Sequence, residues 1–306
     1  MRHFKTPAGE VHSLRFAPDG RSVYLISAER HIGPEWVCMR PQRVCRVDVA
    51  SGAVTGDWLF KPSDAVTFSH DLRSVYFVPT QEPYSQHFNY GYLYLLDLDS
   101  GIARRLYRAD EFDDTGAVQC ALSPDGRVLA LVEYRRSGNV IRRFDLPTLT
   151  ESEPIYQDAV WLAYSRDGRW LAAGGYGDRV WAWAGTDLVD EWSEPVTALA
   201  WSADGLLAWG KQDRLAVARP GAASSLRTWG VGDIGHFMGL VFSPDSRRVL
   251  IGGYSGICAL HDPLAGCEIA TFEWGIGKIH SVAFSPDGLT CAAGGENGQV
   301  VVWDVE

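Results

Sequence analysis

Two histidines and an aspartate, His12, His280 and Asp64, occupy the same place in a pattern that recurs along the chain. Each stands five residues ahead of the start of an Asp-containing tetrapeptide. Two imidazoles and a carboxylate are a donor set that can hold a divalent transition-metal ion with one coordination position left open. The shared position therefore raises a metal site as one hypothesis, provided that the fold brings the three side chains together.

The recurring tetrapeptide is Ser-Pro-Asp-Gly or a variant of it, and it occurs seven times. The copies begin at Ala17, Ser69, Ser123, Ser165, Ser202, Ser243 and Ser285. Successive copies begin 37 to 54 residues apart, which brackets the period of a four-stranded propeller blade. Because Pro presets φ and Gly accepts a positive φ, each copy predicts a tight turn between two strands.

Apolar runs flank each turn. In the last repeat, Ile279 to Phe284 precedes the turn, while Cys291 to Ala293 and Val300 to Trp303 follow it. A more polar fourth strand precedes the next repeat. The sequence predicts an all-β fold, a single seven-bladed β-propeller of four-stranded antiparallel blades that occupies residues 1–306 as one domain.

The last repeat has three strands and lacks a fourth, whereas residues 2–6 precede the first repeat without a blade of their own. We expect residues 2–6 to complete the last blade beside residues 279–304. That pairing would remove an exposed sheet edge and close the propeller.

Four segments of the last repeat resemble the blade signature of the WD-repeat family: Phe284-Ser285-Pro286-Asp287-Gly288, Gly294-Gly295, Asn297-Gly298 and Trp303-Asp304. The resemblance extends over the whole chain through the seven spaced turns, although the repeats are degenerate. The Gly-His pair that usually precedes the first strand is missing, and Trp ends the third strand only at Trp183 and Trp303. The resemblance implies a propeller and says little about activity.

Long insertions at residues 28–42 and 79–90 follow the second strands of the first two blades, and we expect both to be loops. In a propeller both would project from one face, here called the top face, and Asp113 and Asp114 would add negative charge there that could attract a basic partner. Large aromatic side chains are typical of protein-binding hot spots. The partner-binding residues predicted in this way are Trp36, Met39, Tyr84, Phe88, Tyr90, Asp113 and Asp114. The alternatives are aromatics that pack locally over the rim and a solvated run of charge.

Composition excludes several classes of partner. The net charge of −10 disfavours nucleic acid, whose binding depends on clustered Lys and Arg. No signal-peptide stretch and no run of 18 apolar residues occurs, so no membrane partner is expected. Six scattered cysteines without a C-x-x-C pair favour reduced thiols in a cytoplasm, and the preference for Arg over Lys points to a bacterium. We expect a monomer.

No G-x-S-x-G, H-E-x-x-H or comparable catalytic motif is present. The sequence therefore favours a non-enzymatic scaffold or adaptor without a cofactor, which binds a protein or peptide on the top face. The alternative is a propeller enzyme, or a small-molecule or metal-binding protein, with its site at the mouth of the central channel near His12, Asp64 and His280. Such sites draw single residues from several blades and leave no local motif. The argument against a metal is the wide spacing expected between neighbouring first strands, which would leave the histidines as hydrogen-bonded residues of the channel wall.

Overall fold

The computed structural model describes residues 1–7, 9–32, 37–79, 92–108, 117–135, 138–175, 177–222 and 226–305. For residues 29–32 and 37–41, and for Asp64, Arg108 and Asn297, it describes the backbone alone. Throughout the described ranges the regular structure consists of β-strands and one 3-10 turn at Glu296–Gly298. No helix in this part of the chain is long and apolar enough to cross a membrane.

The strands are numbered in chain order. They are β1 (Arg2–Lys5), β2 (Glu10–Phe16), β3 (Ser22–Ile32), β4 (Val37–Asp48), β5 (Val54–Phe60), β6 (Ser63–Phe68), β7 (Ser74–Pro79), β8 (Tyr92–Asp97), β9 (Ala103–Arg108), β10 (Ala117–Leu122), β11 (Val128–Glu133), β12 (Val140–Asp145), β13 (Thr150–Glu151), β14 (Ile155–Tyr156), β15 (Ala159–Tyr164), β16 (Trp170–Gly175), β17 (Arg179–Ala184), β18 (Asp187–Trp192), β19 (Ala198–Trp201), β20 (Leu207–Lys211), β21 (Arg214–Ala218), β22 (Arg227–Gly230), β23 (Phe237–Phe242), β24 (Val249–Gly253), β25 (Ile257–Asp262), β26 (Cys267–Glu273), β27 (Ser281–Phe284), β28 (Thr290–Gly294) and β29 (Gln299–Asp304).

These strands form seven antiparallel sheets, which are the blades of a β-propeller, so the predicted fold is confirmed. Two compact units are distinguished, residues 1–59 with 195–306, and residues 60–194. In the first unit the first strands of successive sheets, β19, β23, β27 and β2, pack side by side. In the second unit β6, β10 and β15 do the same. Each blade therefore meets its neighbour in the unit through its first strand.

All seven tetrapeptides lie between the first and second strands of a blade, as predicted. Their fourth residues all take a positive φ: Gly20, Leu72, Gly126, Gly168, Gly205, Ser246 and Gly288. A leucine and a serine thus adopt a conformation that glycine occupies at the other five turns. The shared backbone geometry shows that the turn is set by the whole tetrapeptide rather than by glycine alone.

The N-terminal strand completes the last blade, which confirms the expectation from the sequence. Strand β1 pairs antiparallel with β29, from Arg2 opposite Val302 to Lys5 opposite Gln299. Beyond the strand, the backbone N–H of Thr6 donates to the carbonyl of Gly298 at 2.8 Å. Phe4 packs against a core that includes Val300 and Val302. The sheet order is β1-β29-β28-β27.

Strand β29 shows why the third strands are continuously apolar. Val300 and Val302 belong to a core shared with the first blade, whereas Val301 and Trp303 face a core shared with the sixth. Alternate side chains of a strand point to opposite faces, so a strand buried on both faces must be apolar at every position. The core of the propeller lies between blades.

The first insertion differs from the expected loop. Strands β3 and β4 continue into it and pair as far as Ile32 opposite Val37, with a bulge between Ala28 and Arg30. Ladder pairing satisfies the backbone polar groups of a long insertion. The third blade differs too, since its outer strand is divided into β13 and β14. Pro154, which has no N–H to donate, lies between them.

Candidate functional site

The position shared by His12, Asp64 and His280 is irregular in backbone geometry. In five blades the strand register skips it, so that the residue there is the extra residue of a β-bulge: His12, Asp64, Val118, Val160 and Met238. In the last blade His280 directly precedes β27, and its N–H donates to the carbonyl of Gly294 at 2.9 Å. Bulges redirect side chains and recur beside functional sites.

A cluster of three side chains forms at this position in the first and last blades. Glu10, His12 and His280 each offer one possible ligand atom, and these atoms all lie within 4.8 Å of one another. His12 Nε2 lies 4.0 Å from Glu10 Oε2. The two imidazole rings meet edge to face, with centroids 5.8 Å apart. The cluster therefore contains two nitrogen donors and one carboxylate.

The three side chains differ in their access to solvent. His280 is buried, with 7% of its surface exposed. The side chains of His12 and Glu10 retain 31% and 23% of theirs. The ring of Tyr254 lies 6.4 Å from that of His280 and 5.7 Å from that of His236. The cluster thus has one fixed, buried member and two members near the surface.

The sequence predicted two of these three residues. His12 and His280 are brought together, which the spacing of the repeats anticipated. Glu10 was missed, because the bulge at His12 interrupts the regular alternation of side chains along the strand and could not be found from the sequence. The side chain of Asp64 lies outside the described residues.

The predicted partner-binding residues fall outside what the structure describes. Six of them belong to segments that are not described: Trp36, Tyr84, Phe88, Tyr90, Asp113 and Asp114. For Met39 only the backbone is described, and it pairs with Arg30 in the β3–β4 hairpin.

A second group of charges lies in the third blade. Glu133 is fully buried and accepts a 2.8 Å hydrogen bond from Arg135, while Arg142 Nη1 lies 3.5 Å away. Arg142 also donates from Nε to Glu151 at 2.5 Å. Burial acts to lower the pKa of Arg142, but its pairing with Glu151 and Glu133 leaves that pKa raised. Two cations thus balance two anions, which is the arrangement that buried charges require for stability.

Buried thiols are poor nucleophiles in this fold. Burial raises the pKa of Cys45 to about 12, and it also raises the pKa values of Cys258 and Cys291. Since the thiolate is the reactive form of cysteine, these three thiols are chemically inert near neutral pH. The described cysteines are all free.

Comparison with known proteins gives three findings. Residues 266–304, which include the outer strand of the sixth blade and the three strands β27, β28 and β29 of the last, match the family model for the WD domain, G-beta repeat. A segment of 67 residues is 36% identical to the small ribosomal subunit protein RACK1 of Caenorhabditis elegans, and it covers 21% of this chain and 20% of that protein. A chain in the crystal structure of a mitotic checkpoint complex matches with a TM-score of 0.75 at 17% identity, over 99% of this chain and 91% of that one. At 17% identity the structural match shows a shared fold and does not show a shared function.

Proposed function

We propose that the chain is a WD-repeat β-propeller with degenerate repeats, which acts as a non-enzymatic scaffold and binds a protein or peptide. Propellers of this family typically serve as protein-interaction scaffolds. RACK1, to which a segment of 67 residues is 36% identical, is named as a protein of the small ribosomal subunit, and its place in an assembly supports the same role here. A propeller surface held by paired strands loses little conformational entropy on binding, so that more of the contact energy remains as affinity.

The partner is proposed to bind at the top face, over the insertions at residues 28–42 and 79–90. The observation that supports this location is the hairpin of β3 and β4, whose ladder continues to Ile32 and Val37. Trp36 belongs to the connection between these strands. A hairpin carries an aromatic anchor with less entropy to lose than an unpaired loop does. Met39, Tyr84, Phe88, Tyr90, Asp113 and Asp114 are the other proposed contacts.

The proposed setting is a bacterial cytoplasm, with the chain acting as a monomer of one domain. Buried free thiols at Cys45, Cys258 and Cys291 are compatible with a reducing compartment. The net charge of −10 supports a protein partner over nucleic acid.

The proposal is tested with paired variants. The chain is used to capture partners from cells of its source, and the wild type is compared with Trp36→Ala/Phe88→Ala. The control is Tyr156→Ala, which removes an aromatic side chain that is 72% exposed on β14. The captured protein is then purified, and its affinity for each folded variant is measured by calorimetry.

We expect the double variant to lose at least about 2 kcal/mol of binding free energy, as hot-spot residues do, and the control to bind like the wild type. Equal affinity for all three proteins would refute the top-face site. Failure to capture any partner would favour the alternative, a small-molecule or metal-binding protein or an enzyme. The observation that favours this alternative is the cluster of Glu10, His12 and His280.

A further inference from the structure

We propose that Glu10, His12 and His280 form a binding site for a divalent transition-metal cation, and that Zn²⁺ suits it best. Two imidazole nitrogens and one carboxylate oxygen are an established donor set for this ion. Imidazole favours zinc, copper, iron and nickel over magnesium and calcium, which prefer oxygen ligands alone. The site is independent of the proposed partner surface, since none of its residues belongs to the two insertions.

The distances allow the three donors to converge on one ion. Tetrahedral bonds of about 2.0 to 2.2 Å place ligand atoms about 3.4 Å apart. Here the possible ligand atoms lie within 4.8 Å of one another, and those of Glu10 and His12 are 4.0 Å apart. His280 is buried, whereas the side chains of Glu10 and His12 are partly exposed. Small movements of these two toward the fixed imidazole would complete the site.

The bulge position by itself does not create such a cluster. Its other described side chains are Val118, Val160, Thr197 and Met238, which are not ligands for zinc. Among the side chains that the structure describes, only Glu10, His12 and His280 converge as three possible metal ligands. The first and last blades, which are adjacent, thus carry an imidazole at this position, and the carboxylate of Glu10 lies beside both.

A metal ion at this place would connect the first and last blades. Glu10 and His12 come from β2, and His280 leads into β27, the first strand of the sheet that β1 completes. Strands β2 and β27 already pack side by side. Three protein ligands leave the fourth position to water, which is the arrangement of zinc sites that exchange a ligand.

The test is calorimetric titration of Zn²⁺ into the full chain after treatment with a chelator, together with thermal unfolding with and without Zn²⁺. We expect one ion per chain and a higher unfolding temperature with zinc, because an ion that binds only the folded state stabilises it. His12→Ala and His280→Ala should each weaken binding by more than about a hundredfold, since the loss of an outer-shell partner alone costs 10- to 100-fold.

The matched control is His236→Ala, which removes a nearby imidazole outside the cluster and should leave the affinity unchanged. Binding with wild-type affinity in His12→Ala would mean that zinc binds elsewhere on the surface, and the proposal would fail. It would fail equally if no zinc bound, or if His236→Ala lost binding as His12→Ala does. If His280→Ala does not fold, His12→Ala still decides, because its side chain is partly exposed and its removal leaves the core intact.

Discussion

The hydroxyl of Ser123 donates a 2.6 Å hydrogen bond to the carboxylate of Asp125 inside the turn between β10 and β11. The same hydroxyl accepts the backbone N–H of Val128 at 2.8 Å. The bond from Ser123 helps to hold the pKa of Asp125 below its usual range. The same pair recurs as Ser69–Asp71, Ser165–Asp167, Ser202–Asp204, Ser243–Asp245 and Ser285–Asp287. The tetrapeptide is thus held by its own side chains.

The first turn lacks this bond, so removing the hydroxyl from one turn and adding it to the first should change stability in opposite directions. Ala17 stands where the other turns have Ser, although its backbone bonds match, with the N–H of Gly20 donating to Ala17 at 2.9 Å. We expect Ser123→Ala to lower the free energy of unfolding by about 1 to 2 kcal/mol, because the partly buried N–H of Val128 loses a partner. Ala17→Ser should raise it by about 1 kcal/mol. Urea unfolding measures both changes. If both variants raise or both lower the free energy of unfolding, the serine hydroxyl does not stabilise the turn.

A second prediction separates backbone conformation from space at the same turn. Gly126 has a φ of +71°, and a Cβ added there would meet nothing within 4 Å. Gly126→Ala should therefore destabilise the chain by about 1 to 2 kcal/mol through the left-handed conformation alone. Gly177 is the matched control, since its Cβ would also meet nothing, yet its φ lies outside the left-handed region. Urea unfolding of Gly177→Ala should show no comparable loss, and equal losses would refute the explanation.

The sequence could predict the turns and the strands because both depend on local chemistry. Seven copies of the tetrapeptide mark the first-to-second strand turns, and the continuous apolar run of β29 reflects burial on two faces. The bulge at His12 could not be predicted in this way, because register depends on the partner strand β3. For the same reason Glu10 was overlooked, and the insertion after β3 was interpreted as a loop instead of a paired hairpin.

A third prediction concerns acid. His261 is fully buried in β25, and burial lowers its pKa below the ordinary value of 6.5. The imidazole of His261 therefore binds a proton less readily in the folded state than in the unfolded chain. Its contribution to stability is present above about pH 6.5 and is lost as the pH falls below that value. We expect His261→Phe to flatten the dependence of the free energy of unfolding on pH between 7.5 and 5.5, measured by urea titration at each pH.

The control for His261 is Trp229→Phe. The indole N–H of Trp229 donates to Nδ1 of His261 at 3.4 Å, so this variant removes the same hydrogen bond and keeps the imidazole. The wild-type pH dependence should survive in Trp229→Phe. If both variants flatten the curve, the effect arises from the lost hydrogen bond, and the assignment to the histidine is wrong.

The fourth prediction concerns the strand that completes the last blade. Deletion of residues 1–8 removes β1, its four paired positions on β29 and the packing of Phe4 on the core. The loss should exceed about 2 kcal/mol of unfolding free energy, because removal of a buried aromatic alone costs 3 to 5 kcal/mol and Phe4 is partly buried. Thermal unfolding of the full chain should show one cooperative transition, as expected of a single domain, and truncation should move all of it to lower temperature.

Lys5→Ala is the control, since Lys5 is exposed and surface substitutions change stability by about 0.5 kcal/mol or less. An unchanged unfolding temperature in the truncated chain would show that β1 does not stabilise the last blade, because removal of a stabilising strand must lower that temperature.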